Sequence, residues 1–152
     1  MLIREILATK GSGTVLYTVA PSRTLGEAVE IMNDLDVGSL VVFDHGRMSG
    51  MLTFREVLRA VGRAGSTWGS VPVSQVMMTD PIRTTPETVI DDLRREMIEK
   101  HQRYIPVMDG DTLMGVVSFH DVAKAILEEQ GFENKMLKSY IRDWPTDAGP
   151  LA

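Results

Sequence analysis

At 152 residues, 43 % of them hydrophobic, the chain carries enough apolar material for one compact unit or two small half-domains. Its net charge of -5 and lack of cysteine exclude a general nucleic-acid binder, disulfides, thiolate metal sites and thiol nucleophiles, while leaving room for a small anionic ligand held by a few local cations. No apolar run approaches the ~20 residues of a membrane span and Met1 to Ile6 lacks the apolar core of a signal peptide, so a soluble cytoplasmic protein is expected.

In chain order, Leu2, Ile3, Ile6 and Leu7, with Arg4 and Glu5 between them, predict a short helical turn over residues 2–9. Lys10 to Gly13 is a Gly-Ser break, and the β-branched and aromatic Thr14 to Val19 predicts a strand. Ala20 to Arg23 is a turn, and Ser22 or Thr24 can cap the next helix, whose Leu25, Ala28, Val29 and Met32 share one face. Asp36 to Ser39 ends that helix, with Gly38 expected at positive φ. Leu40 to Phe43 reads as a strand buried on both faces. A turn over Asp44 to Arg47, a strand from Met48 to Leu52 and a helix from Thr53 to about Val61 follow.

Gly62 to Ser74 is rich in Gly, Ser and Pro and reads as a linker. The pattern then restarts. Pro86 mirrors Pro21, a helix with Ile90, Leu93 and Met97 on one face mirrors the first, and Tyr104 to Met108 mirrors Ser39 to Phe43. Asp109-Gly110 is a strong hairpin signal, placing a turn over Asp109 to Thr112 before a strand from Leu113 to Val117. Ser118-x-x-Asp121 has the pattern of a capping box at a helix start, as has Thr53-x-x-Glu56. The tail is helical over Val122 to Gln130, broken at Gly131, resumed over Asn134 to Arg142, and expected to be disordered after Trp144-Pro145.

Sliding residues 19–60 onto 84–125 needs no gap and gives identity at Pro21/Pro86, Met32/Met97, Val42/Val107, Asp44/Asp109, Gly50/Gly115, Phe54/Phe119, Val57/Val122 and Ala60/Ala125. These are turn, strand and helix-start positions, so the chain is expected to repeat one β-α-β-β-α unit twice. The expected plan is a first repeat over 1–62, a linker over 63–75, a second repeat over 76–130, and a C-terminal helix and tail over 131–152.

Val19-Ala-Pro21, Val37-Gly-Ser-Leu-Val-Val-Phe-Asp44, Arg103-Tyr-Ile-Pro-Val-Met-Asp109 and two copies of Gly-h-h-[Ser/Thr]-x-x-[Asp/Glu] make the chain resemble the CBS-domain family, as a CBS pair or Bateman module. The resemblance covers roughly residues 2–62 and 72–126. It implies an α/β fold of tandem β-α-β-β-α repeats about a pseudo-twofold axis, and association into a homodimer. It also implies adenosine compounds (AMP, ADP, ATP or S-adenosylmethionine) bound as regulatory ligands in the clefts between repeats, with no other cofactor. By resemblance the acidic motif residue accepts hydrogen bonds from the ribose hydroxyls and the Ser/Thr contacts ribose or phosphate. One cleft would then join Ser118 and Asp121 to Val19, Val37, Gly38 and Ser39; the other would join Thr53 and Glu56 to Thr84, Arg103 and Tyr104.

The chemistry of these residues agrees. An ionised carboxylate only accepts, which suits a vicinal diol, and a helix start with free N–H groups favours phosphate. Arg55, Arg59, Arg103, His120 and Lys124 are the candidate cations. Glu56 departs from the usual Asp, which favours the Asp121 cleft. The competing readings are plainer. Both motifs can be capping boxes alone, His45 and His101 can be solvated turn and helix-end residues, and the ten methionines can be core filler. Lys10-Gly-Ser-Gly-Thr14 lacks a phosphate-loop pattern and reads as a flexible turn. No nucleophile, base and orienter assemble, so a regulatory module acting on an unknown partner protein is expected rather than an enzyme. The alternatives are a ligand-free interaction scaffold and, more remotely, a small nucleotide-processing enzyme.

Overall fold

The computed structural model describes residues 1–10 and 16–142, with side chains as far as Gly131. The predicted break at Gly11 to Gly13, the first residues of the predicted strand at Thr14 and Val15, and the predicted disordered tail beyond Arg142 lie outside the described residues. Helix α1 (Ile3–Thr9) opens the chain, followed by β1 (Thr18–Val19), α2 (Leu25–Leu35), β2 (Ser39–Asp44), β3 (Arg47–Thr53) and α3 (Phe54–Ala64). A 3-10 turn (Gly65–Ser70) and the short α4 (Val73–Val76) lead to α5 (Ile90–Lys100), β4 (Tyr104–Asp109), β5 (Thr112–Ser118) and α6 (Phe119–Arg142).

The two halves match to the level of register. β2 and β3 pair antiparallel with a bulge between Val42 and Phe43; β4 and β5 do the same with the bulge between Val107 and Met108, the equivalent step. β1 pairs in parallel with β2 through Val19 and Val42, and a single parallel bridge between Thr84 and Val107 repeats that contact. Both first-half helix ends follow local chemistry. Thr24 caps α2 by accepting from the Glu27 amide at 3.2 Å. At the other end, Asp36 takes the left-handed conformation, φ 53°, as His101 does after α5, φ 54°. Gly38 is therefore not the positive-φ residue; the chain reverses two residues earlier, and Gly38 meets a different demand, described below.

Each half has its own apolar core, and each core borrows an element from the other half's stretch of sequence. Leu25, Ala28, Met32, Leu40, Val42 and Leu52 pack with Val73 of α4, and Trp68 and Val71 of the preceding turn lie against them. Ile90, Leu93, Met97, Ile105, Val107 and Val117 pack with Ile3 and Ile6 of α1. Backbone bonds fix both exchanges. Leu25 N donates to Val71 O at 2.8 Å and Val73 N to Arg23 O at 2.8 Å, while Ile3 N donates to Thr88 O at 3.0 Å and Arg4 N to Pro86 O at 2.9 Å.

Two sequence expectations change accordingly. The Gly-Ser-Pro stretch read as a linker is instead the rest of α3, a 3-10 turn and α4, seated on the first core. Composition registers the turns but not the apolar Trp68, Val71 and Val73 that anchor them. Helix α6 runs unbroken through Gly131: one interior glycine costs a helix about 0.5–1 kcal/mol, less than nucleating a fresh one.

Candidate functional site

A cleft of about 360 Å³ opens between the halves, lined by Lys10, Leu16, Tyr17, Val37, Gly38, Ser39 and Val41 from the first and Tyr104, Val116 and Ser118 from the second. Local structure explains each placement. Val37 to Ser39 is where the chain enters β2, and Ser118 is the last residue of β5 and the cap of α6. Tyr104 begins β4 and crosses to Gly38, where an added Cβ would clash with the tyrosine hydroxyl and lie 2.8 Å from Cζ. Gly38 is thus required by the close approach of a side chain from the other half. Phe54 stacks edge-on against Tyr104, ring centroids 6.3 Å apart, and the Arg103 guanidinium lies 5.7 Å from the Phe54 centroid.

At the cleft edge Ser118 and Asp121 form a reciprocal capping box. Ser118 N donates to Asp121 Oδ2 at 2.9 Å, and Asp121 N donates to Ser118 Oγ at 3.0 Å. Lys10 Nζ donates to the same Oδ2 at 2.7 Å and to Val116 O at 3.0 Å. Burial pushes the Asp121 carboxyl pKa up, but the hydrogen bonds from Lys10 and the Ser118 amide, together with the Lys10 charge, outweigh it. The group is held below the ordinary carboxylate value. With a lowered native pKa, the unfolded chain binds the proton more readily. This contribution to stability is present above the ordinary carboxylate range and is lost as pH falls through the lowered native value. Asp121→Asn should therefore flatten the acid limb of a stability–pH curve below about pH 4, measured by urea unfolding; an unchanged limb would count against an ionised Lys10–Asp121 pair.

The helix starts offer fewer open amides than the sequence suggests. Phe119 N donates to Arg103 O at 2.7 Å, so with the capping box three consecutive-turn amides of the α6 start are engaged. The start of α3 is built alike, Phe54 N donating to Gly38 O at 3.1 Å, the equivalent bond in the other half. Positive charge for a phosphate must then come from a side chain. None of the five cations chosen from sequence lines the cleft. Arg55 donates to His101 O at 2.9 Å at the end of α5, Arg103 sits over Phe54, and Arg59, His120 and Lys124 are exposed. The lining cation is Lys10, which the sequence reading treated as part of a flexible turn. Tyr17 was missed as well. Nothing local marks Lys10, whose partners Val116 and Asp121 stand more than 100 positions away, and Tyr17 meets the cleft only through the packing of β1 beside β2 and the approach of Tyr104.

The second constellation is assembled differently from the first. Thr53 and Glu56 form their own capping box, Glu56 Oε1 accepting from Thr53 N and Thr53 Oγ1, both at 2.9 Å. Glu56 is only 4 % exposed and its Oε2 is buried without a partner among the described residues. Beside it the Met78 segment runs close against β3. Met51 and Met78 exchange backbone hydrogen bonds of 2.9 and 2.8 Å, and Gln102 Oε1 accepts from the Ile82 amide at 3.1 Å. A Cβ on Gly50 would clash with the Met78 carbonyl oxygen. Of the residues assigned to this cleft, Thr84 is buried and pairs alongside β4, and Tyr104 lines the opposite cleft. Val19, assigned to the first cleft, is buried in the first core instead. Among the described residues no group of His, Asp and Glu is arranged to hold a metal ion, and no helix is long and apolar enough to cross a membrane.

Two α/β repeats of one plan, each completed by an element from the other's stretch and enclosing a cleft at their junction, define a paired-repeat module. The CBS-domain family model matches residues 4–63 and 73–128, and the chain belongs to that family as a CBS pair. It is 36 % identical over 113 residues to CBS domain-containing protein YhcV of Bacillus subtilis, covering 72 % of this chain and 78 % of that one. It is 30 % identical to the mitochondrial CBS domain-containing protein CBSX3 of Arabidopsis thaliana, covering 92 % and 71 %. Among solved structures it is similar to a putative signal-transduction protein with CBS domains from Burkholderia ambifaria, TM-score 0.81 and 27 % identity over 86 % of this chain and 96 % of that one. The match to an A-adding tRNA nucleotidyltransferase of Geobacter sulfurreducens takes in 12 % of that longer protein.

Proposed function

We propose that this CBS pair is a cytoplasmic regulatory module that binds one adenosine-containing nucleotide per chain in the Lys10–Ser118 cleft and, as a homodimer, passes the change to a partner protein. The observation that carries this reading is the open inter-repeat cleft with a half-buried carboxylate, Asp121, at its edge. Both described hydrogen bonds to that carboxylate end on Oδ2, leaving Oδ1 to accept from a sugar diol. On the other side the buried Glu56 and the Met51–Met78 backbone pairing favour a single ligand. A molecule touching both repeats stabilises one arrangement of them, and it shifts that equilibrium only by its differential affinity. The role is binding rather than catalysis.

Thermal unfolding with AMP, ADP, ATP, S-adenosylmethionine and NADH tests the reading. A ligand at 100 times its Kd adds ~2.7 kcal/mol, a rise of roughly 5–10 °C for a chain of this size, with one molecule bound per chain. If none moves the midpoint, the second reading stands: a ligand-free scaffold. Its support is the apolar face of α3, where Leu58 is 65 % and Val61 39 % exposed beside Phe54.

A further inference from the structure

The two halves differ in what covers the outer groove between their helices. In the first half the 3-10 turn packs against both α2 and α3. Trp68 lies on the core there, and Gly69 O is 3.1 Å from where a Cβ on Gly26 would stand. Leu25 N donates to Val71 O just after that turn, and in the second half Ile90 N donates to Met1 O in the same way. Yet among the described residues no turn covers the equivalent groove between α5 and α6. A cavity of about 330 Å³ stands there instead, lined by Val89, Ile90, Asp91, Ile126, Glu129 and Gln130. Val89 is 44 % exposed at its edge. Asp91 takes the place of Gly26, so a backbone cannot come as close as Gly69 does, and a side chain has to fill the space.

We propose that the tail of a second copy of this chain covers the groove, its Trp144 on Val89 and Ile126 and its Arg142 beside Glu129. The chain has two tryptophans. Trp68 serves the first groove, and Trp144 follows closely on the end of α6 at Arg142. At about 1.5 Å per residue, α6 carries Arg142 ~18 Å beyond Gln130. The step from there to Trp144 spans at most ~7 Å, so Trp144 cannot return to the groove of its own chain. The charges also match. Asp91 is already bridged by Arg94 and Arg95. Glu129 is 53 % exposed, and the N-terminal ammonium at 3.7 Å leaves room for a second cation. Tryptophan and arginine are the side chains that anchor such contacts. Reciprocal exchange of tails closes a twofold dimer. This gives the homodimer named above a contact and does not depend on the nucleotide.

Sedimentation and fluorescence of the full chain test this. Trp68→Phe leaves Trp144 as the one tryptophan, with the thermal midpoint as a check on folding. Trp144 emission should be blue-shifted and shielded from acrylamide in the associated protein. It should revert to that of an exposed indole on dilution to monomer, or when Val89→Glu is added. With Trp68 kept, so that the first core is untouched, Trp144→Ala and Val89→Glu should each weaken association at least about tenfold, the scale of losing an interfacial tryptophan. Mixing those two variants pairs one intact groove with one intact tail and should restore association in part. Trp144 exposed at every concentration overturns the proposal, as does Trp144 still shielded in the monomer. Association unchanged by both substitutions overturns it too, while leaving the homodimer and the adenosine reading standing.

Discussion

Ile3→Ala is expected to lower the unfolding free energy by about 2–5 kcal/mol, the cost of removing a fully buried aliphatic side chain whose site cannot collapse. Ile3 is 0 % exposed and packs among Ile90, Leu93, Ile105 and Val117 although it stands third in the chain. The site is rigid because α1 is also tied by its backbone: Ile3 N donates to Thr88 O, and Ile90 N donates to Met1 O at 3.0 Å. For a chain of this size the midpoint should fall on the order of 10 °C. The comparison variant is Leu35→Ala, 41 % exposed on α2, which should stay within about 0.5 kcal/mol. Urea unfolding followed by circular dichroism decides the matter. An Ile3→Ala loss no larger than that of Leu35→Ala would mean that α1 is an appendage and that the second core closes without it.

Asp121→Asn should weaken binding of the adenosine ligand by about 1.5–3 kcal/mol, roughly 10- to 150-fold, because a charged acceptor facing the diol becomes a neutral amide. The replacement keeps the shape of the cap, and its Oδ1 can still accept from the Ser118 amide, so α6 should start where it does now. It also releases Lys10 from its ion pair, which makes the direction informative. If Asp121 served only to restrain Lys10, the freed ammonium would bind a phosphate-bearing ligand better. If Asp121 holds the sugar, binding falls for adenosine and AMP alike. Titration of the same nucleotides into wild type and variant, with the thermal midpoint of each as a check on folding, separates the two outcomes.

The sequence by itself determined the repeat, and with it most of the local structure. Helix faces such as Leu25, Ala28 and Met32, the apolar strands β2 and β4, the hairpin turns and both capping boxes are set by interactions within a few residues, which a linear pattern records. Duplication carried this further, since β2–β3 and β4–β5 share a register down to the position of the bulge. Ser118, Val37, Gly38 and Ser39 were accordingly brought to one cleft as expected.

Only the tertiary structure decided what crosses between the repeats. It placed α1 on the second core and α4 on the first, set Tyr104 against Gly38, buried Glu56 in its own cap, and made Lys10 rather than any of the five candidate cations the charged wall of the cleft. Periodicity carries no information about these, because each depends on surfaces brought together from distant positions. The repeat is symmetric in plan but not in its side chains: Asp121 has Lys10 beside it, and Glu56 has a carboxylate oxygen with no partner among the described residues. What each motif carboxylate meets is settled where the halves come together, since close packing brings to each position the side chains of distant segments.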